Sequence, residues 1–299
     1  MVFRRSFPLM CVSALLPVAA GCVNMSGADF GRYVERDEKR FTVEGKPEVV
    51  LSTFDGSIEI RSWDRPDVLV IVERRAATKE AAAAINVEST QQGNRVSVNV
   101  RMPAARLFGL NWLGGVSARL VVSVPASSDV RATSGDGSID LERVSGTIAL
   151  RSGDGSIHAS DSSGNVTVST GDGSIKLDGV DGALDANTGD GSVRVTGKLT
   201  SVHARSGDGS ITVHAQPGSS ASADWNITSG DGSVTLEIPD GFSADLDAHT
   251  GDGGINLDGV TVSNVTGTIG RNTARGQLGS GGKSLRVRTG DGSITLRRF

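Results

Sequence analysis

From about residue 40 onward, apolar and polar residues alternate along most of the chain, the period of strands that bury one face. In the second half this alternation falls into a fixed register. Ile139, Ile157, Ile175, Val193, Ile211, Val234, Ile255 and Ile294 occupy one position, and Leu141, Ala159, Leu177, Val195, Val213, Leu236, Leu257 and Leu296 follow two residues later. Ahead of the next turn run Ile148, Val166, Leu184, Val202, Trp225, Leu246 and Leu285, then Leu150, Val168, Ala186, Ala204, Ile227, Ala248 and Val287. Four apolar columns per unit predict two short strands joined by corners, and such units bury their apolar faces only by stacking.

The corner is written as a hexapeptide, SGDGSI or a close variant, beginning at Ser134, Ser152, Thr170, Thr188, Ser206, Ser229, Thr250 and Thr289. Its aspartates are Asp136, Asp154, Asp172, Asp190, Asp208, Asp231, Asp252 and Asp291, with four consecutive spacings of 18 residues and a last gap of 39. That gap accommodates two units, one of them degenerate around GTIGRNTARGQLGSGG. The expected architecture is an all-β, parallel β-solenoid of about 18-residue coils: roughly nine coils from Val130 to Phe299, each adding about 4.8 Å. An antiparallel meander is the alternative, because Asp-Gly is also a hairpin signal. A single-layer meander would leave one apolar face bare.

Within the corner, the glycines flanking Asp are expected to supply positive φ, and the carboxylate to fold back on turn N–H groups as an Asx-turn. The Ser or Thr before the first glycine falls on the inward side, where neighbouring coils could give it a hydrogen-bonded ladder. Stacked carboxylates repel by about 0.9 kcal/mol per pair in bulk water and about 3.5 at an effective dielectric of about 20. Solvent exposure with N–H donors is the expected relief. Calcium is the alternative, although each coil offers one fixed aspartate where Ca²⁺ needs six to eight oxygens, and the calcium-binding nonapeptide roll has a different layout.

The chain divides into four stretches. Residues 1–21 read as an export signal, with Arg4 and Arg5 before an apolar run too short to span a bilayer. The run ends in AAGC, which resembles the lipobox of bacterial lipoproteins; Cys22 would then be the lipidated first mature residue and the membrane anchor. A plain signal peptide with a chance cysteine is the alternative, and RRSF partly matches a twin-arginine signal. Residues 22–40 are polar and read as a tether, 41–128 as a β-rich region with a short helix near 78–84 capped by Thr78, and 129–299 as the regular coils. PEVVLSTFDGSIEIRSW is a divergent first copy of the corner, with Phe54 in place of the first glycine.

Forty glycines and 4% aromatics do not suit a packed α/β enzyme. Removing residues 1–21 takes away two arginines and no acids, leaving 28 basic against 34 acidic residues and a net charge of −6. A nucleic-acid ligand would need a basic face and is not expected. The only other cysteine, Cys11, lies within the signal, so no disulfide is expected. His158, His203, His214 and His249 fall on outward strand positions without metal-ligand spacing, and GxSxG, HExxH and phosphate-loop motifs are absent. In LFGLNWLGG, the residues Leu107, Phe108, Leu110, Trp112 and Leu113 must cap the core or contact a partner or lipid. The final SITLRRF is expected to cap the last coil, with Arg297 and Arg298 discouraging edge-to-edge growth.

The order of a DGSIEI strand, VLVIVERR, a short helix, a hairpin, a VVSVP strand and repeated GDGSI coils resembles a bacterial family of candidate adhesins with β-strand repeats, a domain of unknown function. The resemblance covers about residues 40–299. It implies a right-handed parallel β-solenoid on the cell envelope, often lipid-anchored, and carries no catalytic residues with it. The expectation is a non-enzymatic, lipid-anchored structural or binding element whose partners are the membrane and an envelope polysaccharide or protein. No cofactor is expected. A Ca²⁺-dependent roll and a polysaccharide-acting β-helix enzyme are the alternatives.

Overall fold

The computed structural model describes residues 33–102, 115–266 and 269–299, and these are mostly strand, joined by short turns and one short helix. In the N-terminal part, β1 (Tyr33–Thr42), β2 (Glu48–Thr53), β3 (Ile58–Trp63) and β4 (Asp67–Ala76) precede helix α1 (Lys79–Ala83), followed by β5 (Asn86–Gln92), β6 (Arg95–Arg101) and β7 (Ser117–Pro125). The coils continue through β8 (Asp129–Ser134), β9 (Ile139–Glu142), β10 (Ser145–Ser152), β11 (Ile157–Ser160), β12 (Ser163–Thr170), β13 (Ile175–Thr188), β14 (Val193–Ser206) and β15 (Ile211–Ala215). The last set is β16 (Trp225–Ser229), β17 (Val234–Ile238), β18 (Ala244–Thr250), β19 (Ile255–Asp258), β20 (Val262–Ser263), β21 (Thr273–Leu278), β22 (Ser284–Thr289) and β23 (Ile294–Arg298).

Like residues stack on like. Ile148 pairs with Val166 and Val166 with Leu184; on the other wall Ile139 pairs with Ile157 and Ile157 with Ile175, all in parallel ladders offset by one repeat. The inward columns predicted from the alternation are buried along nearly the whole stack, Ile255 and Leu257 at its C-terminal end only partly. Thr78 caps α1 as expected, accepting a hydrogen bond from the Ala81 N–H at 3.2 Å.

The order of the coils departs from the order of the chain at both ends. The β2/β3 coil lies between β6/β7 and β8/β9. At the other end β22/β23 lies between β16/β17 and β18/β19, with parallel pairing on both sides. The segment read as a degenerate coil is instead β21, antiparallel to β18 and covering it, with β20 beyond. Among the described residues the parallel coils from Val130 onward therefore number eight rather than nine. The strand Tyr33–Thr42, whose residues up to Arg40 were read as the end of a tether, pairs along its whole length with β4. Outermost parallel strands thus receive antiparallel covers: β5 on β6, β4 on β7 and β21 on β18.

A second corner, opposite the Asp-Gly turns, carries a further buried column of Val144, Ser162 and Val180, each just after a left-handed residue: Arg143, Asp161 and Gly179.

Candidate functional site

The repeated corner is the feature common to all coils, and its chemistry is set by how one coil lies on the next. Each Ser or Thr hydroxyl is buried and donates to the carbonyl of the second glycine of the adjacent corner, at 2.7–2.9 Å. The chain of donors runs Ser229 to Gly209, Thr289 to Gly232 and Thr250 to Gly292, which repeats the intercalated coil order. At five corners the same hydroxyl also accepts from the second glycine's N–H within its own turn, as Gly155 does to Ser152 at 3.1 Å. The side chain that folds back on the turn is thus the hydroxyl, and the Asx-turn expected of the aspartates is not what holds the corner.

The glycines serve a different purpose from the one expected. None of the sixteen that flank the eight aspartates has φ between +20° and +160°. Their requirement comes from stacking: a Cβ on Gly155 would sit 2.2 Å from the Gly137 oxygen, and one on Gly173 2.2 Å from the Gly155 oxygen. Such distances are well inside van der Waals contact, so a side chain would force the coils apart. The first glycines also make room for the carboxylate of the coil before, whose Oδ1 would be 3.4 Å from a Cβ on Gly171 in the case of Asp154.

With the hydroxyls inside and the glycines packed, the eight aspartates stand exposed in a single file along one edge. Their spatial sequence ends Asp231, Asp291, Asp252, because the coil bearing Asp291 is inserted. Among the described residues no three His, Cys, Asp or Glu side chains converge as a metal cluster.

The wall after the corner carries a ladder of ion pairs that sequence reasoning missed. Arg61 meets Glu142 at 3.5 Å; Asp178 takes Lys176 at 3.0 Å and His158 at 3.4 Å; Glu237 takes His214 at 2.6 Å. Arg297 lies between Glu237 (3.4 Å) and Asp258 (3.0 Å), in the interior of the stack rather than at a free edge, and so does not have the edge-blocking role expected of it. His214 also stacks on the Phe299 ring at 4.6 Å, so it is not simply a solvated surface residue. Aligning outward positions coil by coil would have exposed the alternation of sign, but only with the correct coil order.

A shallow groove of about 420 Å³ on this wall is lined by Glu59, Arg61, Asp140, Glu142, His158 and Ser160. Partial burial raises the half-exposed Asp140 carboxyl above its usual range; the charge of His158 offsets part of this and Glu59 adds to it. Burial works against ionisation of Asp178 too, yet the hydrogen bond and charge of Lys176, aided by His158, hold it below the usual range. At the C-terminal end the hydrogen bond from Arg288 lowers Asp247, with Arg275 on its other side. Cys22 and the segment with Leu107, Phe108, Leu110, Trp112 and Leu113 lie outside the described residues. No helix among the described residues is long and apolar enough to cross a membrane.

A family model described as Toastrack DUF4097 matches residues 48–297. No curated protein matches the chain. Among solved structures, a candidate cell adhesion protein from Clostridium sporogenes ATCC 15579 is 13% identical, with 88% of this chain and 100% of that one covered at a TM-score of 0.30. A candidate adhesin from Bacteroides fragilis NCTC 9343 is 10% identical over 87% of this chain and 96% of that one, at 0.39. A candidate lipid-binding protein from Parabacteroides distasonis ATCC 8503 is 11% identical with the same coverages and the same TM-score. Likenesses this distant carry no argument about activity. The family match, in contrast, runs from the start of β2 into β23 and so takes in every parallel coil of the stack: the chain belongs to the Toastrack DUF4097 family.

Proposed function

We propose that this chain is a non-enzymatic binding or structural element of the bacterial envelope, a right-handed parallel β-solenoid exported and anchored through lipidated Cys22. The observation that carries the reading is the edge of eight exposed carboxylates, one per coil, left outside the hydrogen bonds that build the corner. A stiff rod presents such groups at a fixed spacing of about 4.8 Å, the strand separation. Individually weak contacts to a repeating polymer then add by multivalency. The groove on the adjacent wall is shallow, and the carboxylates Glu142, Asp178 and Glu237 there meet Arg61, His158 and His214 of neighbouring coils. That arrangement suits presentation better than turnover.

The test is to incubate the protein from residue 23 onward with purified envelope polysaccharides and peptidoglycan, with and without Ca²⁺. Both the co-sedimented fraction and released reducing ends are measured. Saturable binding that weakens on Asp→Asn changes at the corners, with no new ends, supports the proposal. New reducing ends that disappear with those changes would replace it with an enzyme.

A further inference from the structure

The chain contains thirteen Asp-Gly peptides, eight of them in the repeated corners. Among aspartyl dipeptides this is the one most open to succinimide formation, because the glycine after the aspartate leaves its own nitrogen unhindered. In that reaction the glycine nitrogen attacks the aspartate side-chain carboxyl carbon and an N–Cγ bond forms. The nitrogen's hydrogen leaves with the hydroxyl of the protonated carboxyl group as water. Water then adds to either imide carbonyl, restoring aspartate or giving isoaspartate, whose backbone runs through the former side chain. The step needs no oxidant or partner, only a free glycine N–H and a backbone able to swing.

The corners deny both. At Gly137, Gly155, Gly209, Gly232 and Gly253 the attacking nitrogen is already donating its hydrogen to the buried Ser or Thr of its own turn. At Gly173, Gly191 and Gly292 the backbone is wedged against the adjacent coil, where a Cβ would lie 2.2, 2.0 and 2.3 Å from a carbonyl oxygen. Outside the corners, Gly56 and Gly182 are packed in the same way, at 2.2 Å, while Asp178 and Asp258 are held in ion pairs.

Asp240-Gly241 has none of these restraints. It forms the tip of a turn closed by the Phe242 N–H on the Pro239 carbonyl. The Asp240 side chain is 87% exposed, and its nearest cation, Arg298, is 4.0 Å away. Gly241 has φ +79° and nothing within 4 Å of its Cβ direction. We infer that Asp240 is this protein's site of isoaspartate formation, and that close stacking of the coils, reinforced at five corners by the buried hydroxyl, protects the corner aspartates from the same reaction. A change at Asp240 would be felt locally, since Phe242 packs edge-on against Trp225 in the core at 5.1 Å.

The experiment ages the full chain at neutral pH and 37 °C and maps isoaspartate by peptide mass spectrometry and an enzymatic isoaspartate assay. Isoaspartate is expected first at Asp240, with the corner aspartates slower by about tenfold or more, the factor that one buried hydrogen bond gives a rate. In denaturant, where both the hydrogen bond and the wedging are lost, the corner aspartates are expected to isomerise about as fast as Asp240. Corner aspartates isomerising as fast as Asp240 in the folded protein would overturn the inference. So would corner aspartates that stay slow in denaturant.

Discussion

The intercalated coil order can be tested with one covalent bond. In the structure Ser233 and Ser293 are neighbours across the β17/β23 ladder, their hydroxyl oxygens 3.3 Å apart and their following residues, Val234 and Ile294, in register. Adjacent parallel positions lie about 4.8 Å apart, within the Cα range a disulfide needs. In a stack that followed chain order, residue 233 would instead adjoin residue 254. In the observed order those two are two coils apart, about 9.6 Å and beyond disulfide reach. Ser233→Cys with Ser293→Cys, made in protein beginning after Cys22, is therefore expected to cross-link on mild oxidation. The bond closes a separation of 60 residues. In the chain-entropy model that constrains the unfolded chain by about 4 kcal/mol. At about 2–4 °C per kcal/mol for a chain of this size, the oxidised form should melt roughly 8–16 °C above the reduced form. Thiol titration and a melting curve with and without reductant measure both quantities. Ready cross-linking of Ser233→Cys with Gly254→Cys, and none with Ser293→Cys, would refute the coil order.

Three further outcomes follow from individual contacts. Ser162 is fully buried with a hydroxyl that has no hydrogen-bond partner, in a column whose neighbours are Val144 and Val180; Ser162→Val should stabilise by about 1–3 kcal/mol in denaturant titration. Gly173→Ala puts a methyl 2.2 Å from the Gly155 oxygen and should cost about 1–3 kcal/mol or more by the same measurement. Asp247 binds Arg288 at 2.5 Å and Arg275 at 2.9 Å, and its carboxyl titrates below the ordinary value. Its stabilisation is thus present above the ordinary carboxylate pKa and lost as pH falls through the lowered folded one. Asp247→Asn should lower stability at neutral pH and flatten that acid limb of the stability profile.

The pattern of apolar positions carried most of the architecture because each inward residue stacks on its counterpart one repeat away. Columns such as Ile139, Ile157 and Ile175 needed no knowledge of the turn. Coil order at the ends was hidden by the same regularity. Any corner copy fits on any other, so nothing in SGDGSI says that the coil of Thr289 adjoins that of Ser229 before that of Thr250. The 39-residue gap was the available sign, and filling it with a coil overlooked that TARGQL could pair antiparallel with β18. The corner glycines were identified correctly as special, but the reason lay 18 residues away, in the carbonyl of the next coil rather than in local dihedral angles. The second corner was obscured because its left-handed position is filled by Arg143 and Asp161 before a glycine takes it at Gly179, and its inward position by Ser162 between two valines. For the candidate site, the eight aspartates and the inward hydroxyls were legible. The ion-pair ladder was not recognised: His158 and Asp178, or His214 and Glu237, are about one repeat apart, but Glu237 and Arg297 are 60 residues apart and meet only in the intercalated order.

Intercalation also determines where the stack is weakest. A parallel stack has two open ends, and unpaired strand edges invite further pairing. The N-terminal end finishes in the polar strands β1 and β5. At the C-terminal end β18 is covered by β21, whereas among the described residues β19 pairs only with β23. Its inward Ile255 and Leu257 are half-buried, while Ile294 and Leu296 of the inserted β23 are buried and paired on both sides. The last coil in the chain is therefore expected to be among the most protected in this region, and an earlier one to fray first. Native-state hydrogen exchange should find the Leu257 amide opening locally, and with it the Ile294 amide, which donates to the Gly254 carbonyl of that coil; the amides of Thr295 and Arg297, on the β17 side of β23, should open only with a larger unit of the stack. A sequential solenoid predicts the reverse, with β23 exchanging first, so the relative rates at these two strands decide between the two orders without any change to the protein.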